Sequence, residues 1–425
     1  MRITRRAGLA AATAAAFLPG GARAQAKTMT LLAHRVHRGV AEGTQGGSTT
    51  AEWAARNDAK IDWITFDTGP LHDRLQREAS LPSTRIDVAY LLNTWLTPNV
   101  VRMLAPLSDF QAREPIEEFS DFFPPPVQAA TIGGKLVAIP MRHATAGLHY
   151  NAQFLEERGL SGPPRSMEEL FEYARKLTYT RPDGGRVVGL VLPNNYSNIV
   201  SLARAWNGDF ISEDFRAVAN EAPMVKALTE LRALYTAGAF PREFSTILQE
   251  ELNTWMQQGR AAMTITNMSR NAPFNDPARS RFSGKVMTTF VPVGQDLAGR
   301  MDAAPVSTEF WSFIIPHNAQ AKDLSWSLIR EMSSRANTRR AALNGNGPMR
   351  ASLYDDPEYV KTLPYAEAER RTLRVARPPM PAFNEAARAA DMIKESYESA
   401  MLGMRPVQAA MDDLSKRLSD LLPRS

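Results

Sequence analysis

Residues 133–178, GGKLVAIPMRHATAGLHYNAQFLEERGLSGPPRSMEELFEYARKLT, constrain the fold of this chain more than any other stretch. A hairpin turns on Gly133-Gly134, and the chain then passes an Ile139-Pro140 step and enters a strand over 147–150. A Tyr150-Asn151 turn leads to a helix over 152–158, which Gly159 closes. After a Pro163-Pro164 loop, Ser166 and Glu169 form the capping box of a second amphipathic helix. The segment holds no nucleophile motif and no metal-ligand cluster. Its order of elements is that of a chain crossing from one lobe to another, and it points to a two-lobed binder rather than to an enzyme.

The first 26 residues, MRITRRAGLAAATAAAFLPGGARAQA, set the expected compartment. A basic start leads into an Ala-rich apolar run and a small-residue cleavage pattern, Ala22-Arg23-Ala24 or Ala24-Gln25-Ala26. This is the layout of a secretory signal, too short and too weakly apolar to span a membrane permanently. Arg5-Arg6 after Thr4, with Leu9 behind them, resemble a twin-arginine export signal, although Gly8 stands where Phe is usual. An ordinary Sec signal is the alternative. The chain has no cysteine, so disulfides, thiol chemistry, zinc-thiolate sites and a lipid-bearing N-terminal Cys are all excluded. A free periplasmic protein is the expected placement.

Lys+Arg number 50 and Asp+Glu 45. Four of the arginines fall in the first 26 residues, which carry no acid, so the remainder counts 46 against 45, net +1. A basic stripe for nucleic acid is missing. The 425-residue length exceeds one comfortable core, so two domains are expected. Beyond the signal, no apolar run is long enough for a transmembrane helix.

Periodicity along the chain predicts α/β architecture. Strands are expected over 28–33, 61–66, 85–92, 147–150, 261–266, 290–293 and 310–315. Helices are expected over 71–80, 98–110, 152–158, 222–237, 246–258, 322–334, 384–403 and 406–422. Strands alternating with helices imply parallel sheets covered on both faces.

Several stretches resemble extracellular solute-binding proteins of the maltose-binding-like family 1, which feed ABC importers. In chain order these are Asp87-Val88 leading to a Trp loop, the run Met103-Leu104-Ala105-Pro106-Leu107, and the block GGKLVAIP followed by LHYN and GPP. Gln258-Gly259-Arg260-Ala261-Ala262-Met263, Gly347-Pro348-Met349-Arg350 and RPPMPAFNEAARAADMIKES complete the set. The family's Phe-Glu helix after the first strand is represented only by Glu52-Trp53. The resemblance implies a two-lobed periplasmic-binding-protein fold of type II, with the ligand cleft between lobes joined by hinge crossovers. It places lobe one at 27–142 plus 311–360 and lobe two at 143–310 plus 361–425. It also implies a small-molecule solute, hinge closure on that solute, and delivery to the transmembrane permease subunits of an importer by a monomeric receptor with no cofactor of its own.

Ligands of open α/β sheets lie beyond the carboxyl ends of strands. A sugar asks for flat apolar surface under its C–H faces and planar polar groups for its hydroxyls. Strand-end loops offering such mixtures carry His34, Arg35, Asp67, Asn93, Trp95, Arg142, His143, Asn195, Tyr196, Trp206, Asn267, Arg270, Glu309, Arg350 and Asn384, the candidate ligand-binding residues. Plain structural alternatives stand beside several of them. Trp206 has core spacing with Leu202, and Arg350 could pin its own loop. Glu309 could hold the closed cleft, and Arg142 could be a hinge ion-pair partner. Trp311, inside the run FWSFII, reads as core. His34 and His37 lack a third ligand, so a metal pair is not expected. Gly-x-Ser-x-Gly, HExxH and P-loop motifs are missing; a periplasmic carbohydrate-active enzyme is the weaker alternative. Arginine forks at 142, 270 and 350 also suit a sugar acid, sulfosugar or phosphorylated polyol.

Overall fold

The computed structural model describes residues 27–423; the signal expected over 1–26 lies outside the described residues. Eleven strands organise these residues. They are β1 (Lys27–His34), β2 (Ala59–Phe66), β3 (Val88–Leu92), β4 (Thr131–Ile132), β5 (Lys135–Leu136) and β6 (Ile139–Asn151), then β7 (Tyr179–Thr180), β8 (Arg186–Val191), β9 (Ala261–Asn267), β10 (Val286–Thr289) and β11 (Thr308–Ile314). Apart from the small β4–β5 hairpin they join in the order β2-β1-β3-β11-β6-β9-β8-β7, with β10 also on β6.

β6 is the hub. Its first half pairs antiparallel with β11, from Phe313↔Ile139 to Thr308↔Thr145. Its second half pairs with β9 from Ala146 to Tyr150 and with β10 from Leu148 to Asn151. One 13-residue strand therefore ends one sheet and begins the next. The expected pure parallel sheets are instead mixed. β1 is parallel to β2 and β3, and β8 to β9, whereas β11 runs antiparallel to both β3 and β6. The mixture arises because β11 is inserted between β3 and β6 and runs antiparallel to both.

Two large apolar cores flank the hub. One draws on Leu31, Val88, Ile139, Phe313, Trp326 and Met349; the other on Leu148, Phe154, Ile265, Phe383, Tyr397 and Leu414. Burial of such side chains contributes about 1.5–3 kcal/mol each, and these clusters fix the helices to the sheets. The chain passes from one core to the other along β6 and β11 and again over 350–376. That third passage builds a small core of its own from Phe123, Leu353, Tyr354, Tyr359 and Leu373. Glycine is required where it passes the hub: a Cβ on Gly347 would come within 2.9 Å of the His143 carbonyl oxygen.

Local signals place the helix starts. Asn151 Oδ1 accepts from the backbone N–H groups of Gln153 and Phe154 at 3.1 and 3.3 Å and opens the helix Ala152–Glu157. Ser166 Oγ accepts from the Glu169 N–H at 3.1 Å and opens Met167–Lys176. Three sequence expectations are corrected. The helix over 98–110 is two short helices, Pro98–Val101 and Ser108–Arg113. Between them the Ala105 N–H donates to the Ile315 carbonyl at 2.8 Å, and Pro106 has no N–H to continue a helix. Residues 290–293 are not a strand; the pairing partner of β6 is β10, which ends at Thr289. The strand over 147–150 is the far half of β6 rather than a separate element.

Candidate functional site

Directly opposed residues of an antiparallel pair share a face, and neighbours along a strand alternate. In the β6–β11 ladder this puts Arg142 with Trp311 and Ala144 with Glu309 on one face, and His143 with Phe310 and Thr145 with Thr308 on the other. The division depends on an irregularity. Ser312 pairs with Pro140 but Trp311 pairs with Arg142, so β6 carries one extra residue, Met141. Without that bulge, the register at Pro140 would set Arg142 opposite Phe310 and turn it to the buried face. The Met141 carbonyl takes its hydrogen bond from Asn346 Nδ2 at 2.7 Å, outside the ladder.

The first face is the candidate cleft floor. Arg142, Glu309 and Trp311 are half-buried on it. Burial lowers the pKa of the Arg142 guanidinium and raises that of the Glu309 carboxyl, and among the described residues no counter-charge offsets either. The Arg142 charge is felt by His34 and His37, both held below the usual imidazole range chiefly by burial. The Glu309 charge is felt by Tyr196, whose hydroxyl pKa is raised first by burial and then by that carboxylate. Arg142 thus looks toward the end of β1 and Glu309 toward the helix Tyr196–Arg204, with small Ala144 between them. Trp311 sets its edge against His37 at 4.6 Å and Trp95 at 6.3 Å, and Trp95 stacks on His72 at 4.0 Å. A guanidinium offering planar donors, a carboxylate offering acceptors and an aromatic wall therefore converge on one surface.

Other expected residues are held by contacts of their own. Arg35 lies 3.3 Å and His34 4.0 Å from the Asp67 carboxylate, on an exposed rim where such pairs contribute little stability. Asn195 Oδ1 caps its helix by accepting from the Asn198 N–H at 2.9 Å, which holds Tyr196 at the helix start. Asn267 ends β9 opposite Ala146, and Arg270 beyond it stands 4.0 Å from the exposed Glu250. Asn384 Oδ1 accepts from the Asn99 N–H at 3.2 Å and ties the chain before the C-terminal helices to the helix Pro98–Val101.

Four expected residues do not reach the floor. His143 lies on the opposite face of β6, its Nε2 3.0 Å from Tyr354 Oη and its Nδ1 3.1 Å from Thr145 Oγ1. Asn93 is buried and its Oδ1 accepts from the Phe310 N–H at 2.9 Å, fastening β3 to β11. Trp206 packs on Phe171 in the second core and donates from Nε1 to Glu168 at 2.8 Å. Arg350 is 0% exposed. Its guanidinium donates to the carbonyls of Glu117, Glu118 and Ser333 at 2.5, 3.0 and 2.8 Å and pairs with Asp121 at 3.4 Å, so it pins its own loop. Trp311, read from its apolar run as core, packs against the first core and is also half-buried on the floor. The signal for it was the alternation with Glu309 two residues earlier. Among the described residues no group of three or more His, Cys, Asp or Glu could hold a metal ion.

The sequence model for bacterial extracellular solute-binding proteins matches residues 41–339. The chain belongs to that family. Among solute-binding proteins, a Deinococcus radiodurans chain named "Probable ABC transporter-binding protein" is 24% identical over 433 residues, covering 98% of this chain and 97% of its own length. The sugar-binding protein MalE of Xanthomonas citri superposes with a TM-score of 0.78 at 22% identity, covering 93% of this chain and 97% of that one. A solute-binding protein of Agrobacterium radiobacter K84 in complex with ribitol gives 0.73 at 22% identity, over 93% and 98% of the two chains. Maltose-bound MalE3 of T. maritima gives 0.74 at 21% identity, over 93% and 100%. The fold shared with these neighbours is that of two α/β lobes. No helix among the described residues is long and apolar enough to cross a membrane.

Proposed function

We propose that the chain is the exported, monomeric receptor of an ABC importer, which closes its two lobes on a neutral carbohydrate or polyol and presents it to the permease. The observation that carries this reading is the pair of unpartnered opposite charges on one face of the hinge ladder. Arg142 offers donors and Glu309 acceptors, each half-buried and perturbed by that burial. A hydroxyl-rich solute supplies partners to both without bringing a net charge. The aromatic wall of Trp95 and Trp311 suits its C–H face. Ribitol and maltose in the relatives with this fold support the same solute class. The division of apolar clusters supports lobes at 27–142 plus 311–360 and 143–310 plus 361–425. Ligand bridging the lobes gains contacts that the open form lacks, and so shifts the population toward closure. Transport energy would come from ATP hydrolysed on the importer's cytoplasmic subunits. Export through the twin-arginine route to the periplasm, with no lipid anchor, fits the first 26 residues and the missing cysteine.

An anionic solute is the second reading, favoured by one observation: Arg142 has no carboxylate partner among the described residues. It rests on that residue alone, because Arg350 is enclosed and Arg270 lies beside Glu250. Thermal melts of the protein with ribitol, mannitol, maltose and galacturonate decide among these readings. A ligand raises Tm progressively with concentration. Stabilisation by galacturonate alone, weakened by salt, selects the anionic reading. Chemical conversion of any of these compounds would overturn the binding reading in favour of an enzyme.

A further inference from the structure

Directly behind the cleft's aromatic wall, beneath the Met141 bulge, the first lobe holds a partly open cavity. Pro140, Met141 and Phe313 from the hinge ladder line it, together with His37, Tyr90 and the loops bearing Ser333 and Asn346. Most of this lining is apolar, but four of its residues carry polar atoms without a partner: His37 Nδ1, Tyr90 Oη, Ser333 Oγ and Asn346 Oδ1. Each is buried and has no hydrogen-bond partner among the described residues. They come from four separate elements yet line one space. The penalty for leaving four such atoms dry is comparable with the whole net stability of a domain. The space open to the centre of a water molecule is about 20 Å³, and one water needs roughly 10–15 Å³. A sugar does not fit, whereas one or two waters do.

We propose that this cavity is a structural water site, in which one or two ordered waters bridge Tyr90, His37, Ser333 and Asn346 and so brace the cleft wall from behind. The bracing follows from ring contacts. His37 stacks on Tyr90 at 4.8 Å with an interplanar angle of 12°, and Trp311 meets His37 edge-on at 4.6 Å. Fixing Tyr90 Oη and His37 Nδ1 through a shared water fixes both rings, and Trp311 leans on the second of them. Asn346 joins the same group to the bulge, since its other amide atom holds the Met141 carbonyl. The site is independent of which solute enters the cleft.

Crystals of the exported chain, grown without added sugar, test the proposal. The expected result is solvent density within hydrogen-bonding distance of at least two of the four atoms. Uptake of xenon into the cavity under pressure, with no such density, overturns it, because a dry apolar space takes xenon and a hydrated one does not. Tyr90→Phe provides a solution test, since it keeps the stacked ring and removes only Oη. A hydroxyl bonded to water predicts a fall in Tm of about 2 °C. A rise, or no change, overturns the proposal, because removing a dry hydroxyl relieves a penalty instead of breaking a bond.

Discussion

The two faces of the β6–β11 ladder are built from alternate residues of the same two strands, and they treat polar groups in opposite ways. On the rear face His143 Nε2 meets Tyr354 Oη at 3.0 Å, His143 Nδ1 meets Thr145 Oγ1 at 3.1 Å, and Thr145 Oγ1 meets Thr308 Oγ1 at 2.8 Å. Tyr354 then donates to Glu369 at 2.8 Å, so that network is closed on itself. On the front face Arg142 and Glu309 have neither a counter-charge nor a side-chain partner among the described residues, although burial perturbs both. What separates a structural polar group from a candidate binding one here is whether the fold supplies a partner, not how deeply the group is buried. Arg350 and Arg142 repeat the contrast within one residue type: the first is surrounded by carbonyl acceptors, the second faces two neutral imidazoles.

The largest effect expected from this contrast is on stability, at the enclosed arginine. Arg350→Met leaves the carbonyls of Glu117, Glu118 and Ser333 without their donor and should cost about 3–5 kcal/mol in denaturant unfolding. A loss below about 1 kcal/mol would erase the distinction between the two arginines. Arg142→Met should behave in the reverse way. Unfolding stability stays within about 1 kcal/mol of the parent, while affinity for whichever of ribitol, mannitol or maltose raises Tm falls about 10- to 100-fold by calorimetry. If stability drops and affinity holds, Arg142 belongs functionally with the rear face.

The rear network also carries a pH signature. Burial pushes the Glu369 carboxyl up to about 7 from 4.5. The folded form then keeps a proton that the unfolded chain releases, so this contribution is full below pH 4.5 and is lost as pH rises toward 7. Burial, aided by Arg142, pulls His143 down to about 3 from 6.5. The unfolded chain then takes up a proton that the folded form refuses, so this contribution is full above pH 6.5 and is lost as pH falls toward 3. The two slopes oppose each other between pH 4.5 and 6.5. Glu369→Gln should expose the histidine slope, with stability falling toward acid by up to about 1.4 kcal/mol per pH unit relative to the parent. Parallel stability profiles for variant and parent would show that Glu369 is ionised in the folded form. The smallest effect belongs to Thr145→Val, which removes one hydroxyl from the closed network and should cost about 1 kcal/mol in the same unfolding assay, with solute affinity unchanged.

Much of this arrangement is legible in residues 133–178, where turn glycines, a helix-capping Asn and Ser, and a Pro step mark out the crossover one element at a time. The two-lobed fold follows from that pattern together with the family resemblance. Local signals also bring Arg142, Glu309 and Trp95 into the candidate set. What remains hidden depends on contacts between distant parts of the chain. Arg142 and His143 are adjacent and equally polar, so only the register against β11 assigns them to opposite faces. That register is set by a bulge at Met141, a residue with no turn signature. The acceptors around Arg350 at Glu117 and Glu118 lie more than 200 positions away. Asn93 stands in a loop that looks ready for a ligand, yet the Phe310 N–H claims its oxygen. Trp311 is a mixed case, since its apolar run marks its packing against the first core but not its alternation onto the half-buried floor.

Because β6 passes uninterrupted from one sheet to the next, the odd and even positions of both lobes are locked in phase through a single backbone. Deleting or inserting one residue within 143–146 would turn over every side chain on one side of the change, setting one lobe's core face outward while the other stayed correct. Length changes in that stretch should therefore survive only in pairs. The bulge at Met141 is the one odd step along the strand, and it stands just before the stretch that must keep count.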